Sequence, residues 1–165
     1  MTMAIKLARI DQRLIHGQVA TTWTKATGID HILVVSDEVA KDKLRVSLLK
    51  QATPPGVRAH VLPIMKMAQI YQNPKFDSFK SMLLFTNPED VLKLVQAGVD
   101  LKSVNIGNTL FDKDRKMINK AIAVSTEDVQ AYKELDKLGV ELEARQLATD
   151  TKVPFMGMLK KANVL

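Results

Sequence analysis

The sequence contains no cysteine, which excludes disulfides and thiolate zinc sites. No apolar run approaches the ~20 residues that a membrane-spanning helix needs. No basic-then-apolar leader opens the chain, so a cytoplasmic address is expected. Aromatic residues are scarce: five Phe, two Tyr and one Trp in 165 residues. They are not interleaved with basic side chains as on a single-strand-binding surface, which argues against nucleic acid as a partner. GxGxxG and GxxxxGK[ST] loops are both missing, which argues against a dedicated nucleotide cradle.

What is present is ordinary for a folded chain: 46% hydrophobic and 25% charged residues, and a single-domain length that can bury a core without staples. The net charge is +6. That balance fits a solvated surface equally well as attraction to nucleic acid, a membrane surface, phosphate groups or an acidic protein partner.

Strand-like and helix-like stretches alternate along the chain. The apolar runs Ile5 to Ile10, His31 to Ser36, Arg58 to Leu62, Ser81 to Phe85 and Ser103 to Ile106 predict strands, several apolar enough to be covered on both faces. Ile118 to Val124 predicts a strand of uncertain length that can pair with Leu110-Phe111. Val140 to Arg145 alternates, which suits a strand with one wet face. Ala40 to Ala52 reads as a helix with Ala40, Leu44 and Leu48 at helical spacing. Pro63 can open a second helix at its first position, with Ile64, Met67, Ala68 and Tyr71 on one face. Asn87-Pro88-Glu89-Asp90 and Ser125-Thr126-Glu127-Asp128 carry capping residues followed by acids in the first turn. Leu135 and Leu138 are placed inward on the second of these helices. Pro154 to Ala162 can form a short last helix. About seven strands alternating with helices predict an α/β fold with an open, mostly parallel sheet and helices on both faces. Ligands of such sheets sit beyond the carboxyl ends of the strands.

The stretch with chemistry in it is Arg9-Ile10-Asp11-Gln12-Arg13-Leu14-Ile15-His16-Gly17-Gln18-Val19. It reads as strand, basic loop, helix, with His16 where loop meets helix. Imidazole is a nucleophile near neutral pH. Gly17 lets backbone approach a bound group, and the free N–H groups of the helix start favour an anion such as phosphate. Arg9 and Arg13 can pair with phosphate oxygens. Asp11 can accept a hydrogen bond from one ring nitrogen and fix which nitrogen attacks, or can orient the loop instead. A histidine before glycine is also a common loop or cap residue, so spacing alone leaves both roles open.

That eleven-residue run resembles the signature of IIB components of the mannose/fructose/sorbose family of the bacterial phosphotransferase system. The likeness continues through Val34-Val35-Ser36-Asp37, Thr53-Pro54-Pro55-Gly56, Asn105-Ile106-Gly107 and Gly139-Val140-Glu141, in the expected order. The resemblance implies a single IIB-type domain over residues 1–165. It implies that His16 is phosphorylated, through Nδ1, by the phosphohistidine of a IIA protein or domain. The group then passes to a sugar held by membrane components IIC and IID, with which a cytoplasmic IIB protein associates peripherally. A homodimer is a possible assembly, and no cofactor or metal is called for. Asp11 is the expected orienting residue; Arg9, Arg13 and Gly17 are expected at the phosphoryl group or the docked donor. Position 12 is commonly acidic in the family and is Gln12 here, which makes the loop one charge more positive.

Asp37 follows a strand end, where it can line the crevice around the His16 loop or cap the next helix. Ser36, Thr86 and Asn108 stand at similar strand ends. His31 and His60 are expected to be structural, as are Met65, Met67, Met156 and Met158. Asp112 to Lys116 reads as a solvated turn. The competing function is a phosphate- or nucleotide-binding regulatory module without phosphotransfer.

Overall fold

The computed structural model describes residues 2–165. The chain builds β1 (Ala4–Asp11), a first helix from Gly17 that ends as α1 (Thr24–Thr27), β2 (His31–Val35), α2 (Asp37–Lys41), α3 (Lys43–Gln51), β3 (Arg58–Leu62) and α4 (Ile64–Gln72). Then come β4 (Lys80–Phe85), α5 (Pro88–Gln96), β5 (Ser103–Asn108), β6 (Lys116–Met117), β7 (Ala123–Val124), α6 (Thr126–Lys137), β8 (Glu141–Ala144), β9 (Val153–Pro154) and α7 (Phe155–Lys161). Seven of these strands form one sheet in the order β3-β2-β4-β1-β5-β8-β9. Every neighbouring pair is parallel except β8 with the edge strand β9. This is the expected open, mostly parallel α/β sheet, with β1 near its centre.

Both faces are covered, and strand alternation decides which residue goes where. Ile10, Leu33, Val35, Leu83 and Phe85 pack with residues of α4, α5, α6 and α7. Ile32, Val34, Met82 and Leu84 point the other way, against Leu14, Val19 and Trp23 of the loop and first helix, Val39 of α2 and Leu49 of α3. Leu7 belongs to this second face. The residues two and four further along β1, Arg9 and Asp11, therefore share it. Arg9 lies opposite Asn105 on β5, and Asn105 opposite Glu143 on β8. A buried polar row thus crosses three parallel strands where an apolar face would ordinarily continue.

Several local expectations are corrected. The 40–52 helix is two helices, because Asp42 leaves helical geometry and its side chain caps α3 by accepting from the Arg45 N–H. The break leaves Leu44 and Leu48 exposed, while Leu49 is buried. Leu138 is exposed where α6 ends, and Met65 points away from the face formed by Ile64, Met67, Ala68 and Tyr71. Pro63 stands one position before the helix, at the N-cap of α4. The small antiparallel pair joins β7 to β6, not to Leu110-Phe111. β8 is wet only at its start, at Glu141; Glu143, on the same face, is buried with Leu142 and Ala144. The helix starts at Asn87 and Ser125 form as read, the latter as a reciprocal capping box with Asp128.

Candidate functional site

β1 ends at Asp11, and the chain must turn at once to place a helix over the second face. Asp11 makes that turn itself: its Oδ1 accepts from the Arg13 N–H at 3.0 Å, and its carbonyl accepts from the Leu14 N–H at 2.9 Å. Leu14 closes the turn in the left-handed region, φ 58°. That conformation costs a leucine about 1–2 kcal/mol, offset by complete burial of its side chain. The Gln12 carbonyl accepts from Arg45 of α3 at 3.0 Å, and its N–H donates to the Asn108 carbonyl at 3.0 Å. The loop is braced from three directions.

His16 stands at the helix start, its carbonyl accepting the Ala20 N–H at 2.8 Å. The next residues, Gly17 and Gln18, are helical, and the stretch Val19–Trp23 widens into a π-turn before α1. A side chain added at Gly17 would meet no protein atom. Room is therefore open beside His16, among the first N–H groups of the helix.

The imidazole Nε2 lies 2.8 Å from Asp11 Oδ2. A carboxylate only accepts, so the ring donates from Nε2, and in the neutral ring this places the lone pair on Nδ1. Among the described residues Nδ1 has no hydrogen-bond partner, and the side chain keeps 11% of its exposure. Asp11 is fully buried. The same Oδ2 also accepts from Arg9 Nε at 3.3 Å and Nη2 at 3.1 Å.

Arg9 is placed differently from the expectation that it touches phosphate or a docked donor. It is 0% exposed. Besides Asp11, it donates to Asn105 Oδ1, to the Arg145 carbonyl at 3.0 Å and to the Gln146 carbonyl at 3.3 Å. Burial pulls its pKa below the usual arginine value, against the opposing effect of Asp11. Its donors are committed inward because the strand alternation that turns Leu7 to the second face turns Arg9 there as well. Arg13, by contrast, is exposed, and its side chain pairs with none of the described residues.

Asp37 is likewise committed: its Oδ1 accepts from the Ile64 N–H at 2.8 Å, tying the start of α2 to the start of α4. Ser36, not Asp37, caps α2, through a bond from the Val39 N–H. His31 pairs with Asp30 at 2.7 Å and stacks on Phe79, remote from the site in a structural setting. Thr86 lines a crevice of about 470 Å³ beyond the strand ends, with Gln12, Arg45, Asn87 and Thr109.

Sequence reading missed several residues that hold the site. Trp23 is 2% exposed, and two guanidinium groups stand over its ring, Arg9 and Arg145, each 5.0 Å from the centroid. Its indole N–H donates to the Gln146 carbonyl at 3.0 Å. Arg145 makes a two-pronged pair with Glu143, at 2.8 and 3.0 Å, which raises its pKa. Gly107 lies directly beneath the Arg9 guanidinium. Asn105, a polar residue inside an apolar strand, was the visible signal.

Comparison with known proteins identifies the family. The model of the PTS system sorbose subfamily IIB component matches residues 5–165. The chain is 51% identical over 159 residues to the PTS system mannose-specific EIIAB component of Escherichia coli (strain K12), covering 96% of this chain but 49% of that protein. It thus spans about half the length of that relative. It is 46% identical over 148 residues to the PTS system sorbose-specific EIIB component of Lacticaseibacillus casei, covering 90% of each. The crystal structure of the IIBSor domain of the sorbose permease from Klebsiella pneumoniae superposes with a TM-score of 0.94 at 42% identity, covering 96% of this chain and 98% of that one. No helix among the described residues is long and apolar enough to cross a membrane. The chain belongs to the mannose/fructose/sorbose family of sugar-specific phosphotransferase-system IIB components.

Proposed function

We propose that His16 is the phosphoryl acceptor and that Nδ1 is the nucleophilic atom. The observation that carries this is the 2.8 Å contact between His16 Nε2 and buried Asp11, which occupies one ring nitrogen and leaves the other unpartnered. Nδ1 attacks the phosphorus of a donor phosphohistidine on a IIA domain. The donor N–P bond breaks as the new one forms, while the Nε2 proton stays against Asp11. In the second step a sugar hydroxyl takes the phosphoryl group from Nδ1 and loses its proton.

Such transfers depend chiefly on positioning and on neutralising the phosphoryl oxygens. The helix start after His16 supplies N–H donors, and the open space at Gly17 admits the group. Of the two loop arginines, exposed Arg13 is the one free to meet the phosphoryl group or the donor. Arg9 acts through Asp11. The net charge of +6 suits weak, salt-sensitive docking of an acidic IIA surface. The sugar is held by membrane partners of the IIC and IID type, and the chain works from the cytoplasmic side. Sugar identity rests with those partners, since relatives of similar likeness carry mannose and sorbose in their names.

Incubation with a phosphorylated IIA donor tests the assignment. Label that is acid-labile, base-stable and abolished by His16→Ala is expected. Full labelling of folded His16→Ala overturns it. A regulatory module without phosphotransfer would take up no label in either protein.

A further inference from the structure

We propose that Glu143 and Asn105 are positioning residues for the transfer, holding the tautomer and angle of His16 through a buried chain that runs across three strands. The inference rests on His16 being the acceptor and extends it to residues far from the ring in sequence.

The chain can be followed atom by atom. Both Asn105 and Glu143 are buried, at 1% and 4% exposure. The Asn105 amide Nδ2 donates to Glu143 Oε1 at 3.2 Å and Oε2 at 3.3 Å. A carboxylate cannot donate, so this pairing fixes which way the Asn105 amide points. Its Oδ1 must then face β1, where it accepts from Arg9 Nη1. With Nη1 held on that side, the other edge of the guanidinium, Nε and Nη2, lies against Asp11 Oδ2. Asp11 in turn receives His16 Nε2. Reversal of the amide would set its NH2 against the guanidinium, two donors face to face, and push on the Arg9 fork that holds Asp11, leaving Arg9 only its carbonyl partners on that side.

Charge argues the same way. Two cations, Arg9 and Arg145, and two anions, Asp11 and Glu143, are buried or nearly so. Burying ions is costly unless each is paired and hydrogen-bonded. An apolar row would be the cheaper filling for this part of the sheet. A neutral amide set between the two ion pairs, bonded to an atom of each, couples them into one unit. Trp23 stacks on both guanidinium groups and carries the helix that His16 begins. The unit is therefore built toward the ring that has to be aimed. The Arg145–Glu143 pair alone would satisfy these two charges without Asn105; the amide adds a side-chain link from Glu143 to Arg9, beside the bond from Arg9 to the Arg145 carbonyl.

Two variants and two readouts test this. Glu143→Gln keeps the side-chain shape, and Arg145 keeps enough exposure to be hydrated. Asn105→Ala removes the link and leaves the Glu143–Arg145 pair intact. In unphosphorylated protein, ring 15N spectra of His16 should show the Nε2–H tautomer in the wild type and a mixture of tautomers in each variant. The phosphorylation rate at saturating donor should fall about tenfold or more, as when groups that orient a functional histidine are lost, with the donor KM unchanged. A merely structural role would lower thermal stability and leave the tautomer alone. Folded variants with the wild-type tautomer and a rate within about twofold of wild type would overturn the proposal. The tautomer measurement needs no phosphoryl transfer. A wild-type protein that takes up no label on His16 would therefore sink the acceptor assignment separately.

Discussion

A Cβ atom at Gly107 would land on the guanidinium group of Arg9. Gly107 lies two residues beyond Asn105 on the same face of β5, where the register between β1 and β5 slips between Ile10 and Asp11. The slip and the missing side chain together open the space in which Arg9 lies flat and reaches Asp11. Gly107→Ala should therefore displace Arg9. Overpacking of this kind costs about 1–3 kcal/mol, to be read as a lower midpoint in urea. The rate of His16 phosphorylation should drop in the same variant, measured well below its unfolding midpoint.

Asp11→Asn tests the carboxylate. It removes the charge that pairs with buried Arg9 and lets the ring exchange the proton between its nitrogens. Loss of one partner of a buried pair costs about 3–5 kcal/mol. A histidine released into the wrong tautomer loses on the order of a hundredfold or more in rate. Stability and single-turnover labelling should both fall. A stable Asp11→Asn protein with normal labelling would remove Asp11 from the mechanism.

Glu89, in the first turn of α5, has its pKa raised to about 7, first by burial and then by a hydrogen bond with Asp128 of α6. The folded state thus binds a proton that the unfolded chain releases near pH 4.5. Wherever the native state binds more protons, stability falls as pH rises. The protein should lose stability between about pH 4.5 and 7 through this group. Glu89 is only half-buried, so solvent screening reduces the effect to on the order of 1 kcal/mol. Glu89→Gln should raise Tm at pH 8 and change it little at pH 4. An equal gain at both pH values would contradict the assignment.

Tyr132 on α6 is completely buried, and its hydroxyl has no partner among the described residues. Burial and the nearby carboxylates of Asp128 and Glu89 push its pKa well up, so the phenol stays neutral. A buried, unsatisfied hydroxyl costs about 1–3 kcal/mol. Tyr132→Phe keeps the edge-to-face contact with Phe155 and removes that cost. Equilibrium unfolding should show a gain of about 1 kcal/mol; a loss would mean that the hydroxyl is hydrated or bonded in solution.

Much of the fold was legible because local signals agreed with it. Asn87-Pro88 and Ser125 cap helices as read, and the apolar runs of β2 and β4 sit in a sheet covered on both faces. The position of His16 at the junction of loop and helix was legible for the same reason. The duties of the arginines were not. A charged residue in a sequence shows its charge but not its burial, and Arg9 looks like Arg13 until strand alternation is followed inward. The partners of Asn105 and Glu143 were out of reach for another reason: Asn105 meets Arg9, and Glu143 meets Asn105, only because β5 lies beside β1 and β8 beside β5. That order is not written in any one stretch. Leu44 and Leu48 misled because helical spacing was read across Asp42, where the helix breaks.

The central claim is that phosphoryl transfer uses Nδ1 of His16, with Nε2 held by Asp11. Ring 15N and 31P spectra of the protein after reaction with a phosphorylated IIA donor test it most directly. The account predicts one phosphoryl group per chain, bonded to Nδ1 of His16, with the remaining proton on Nε2. A phosphoryl group on Nε2, or on any residue other than His16, would contradict it.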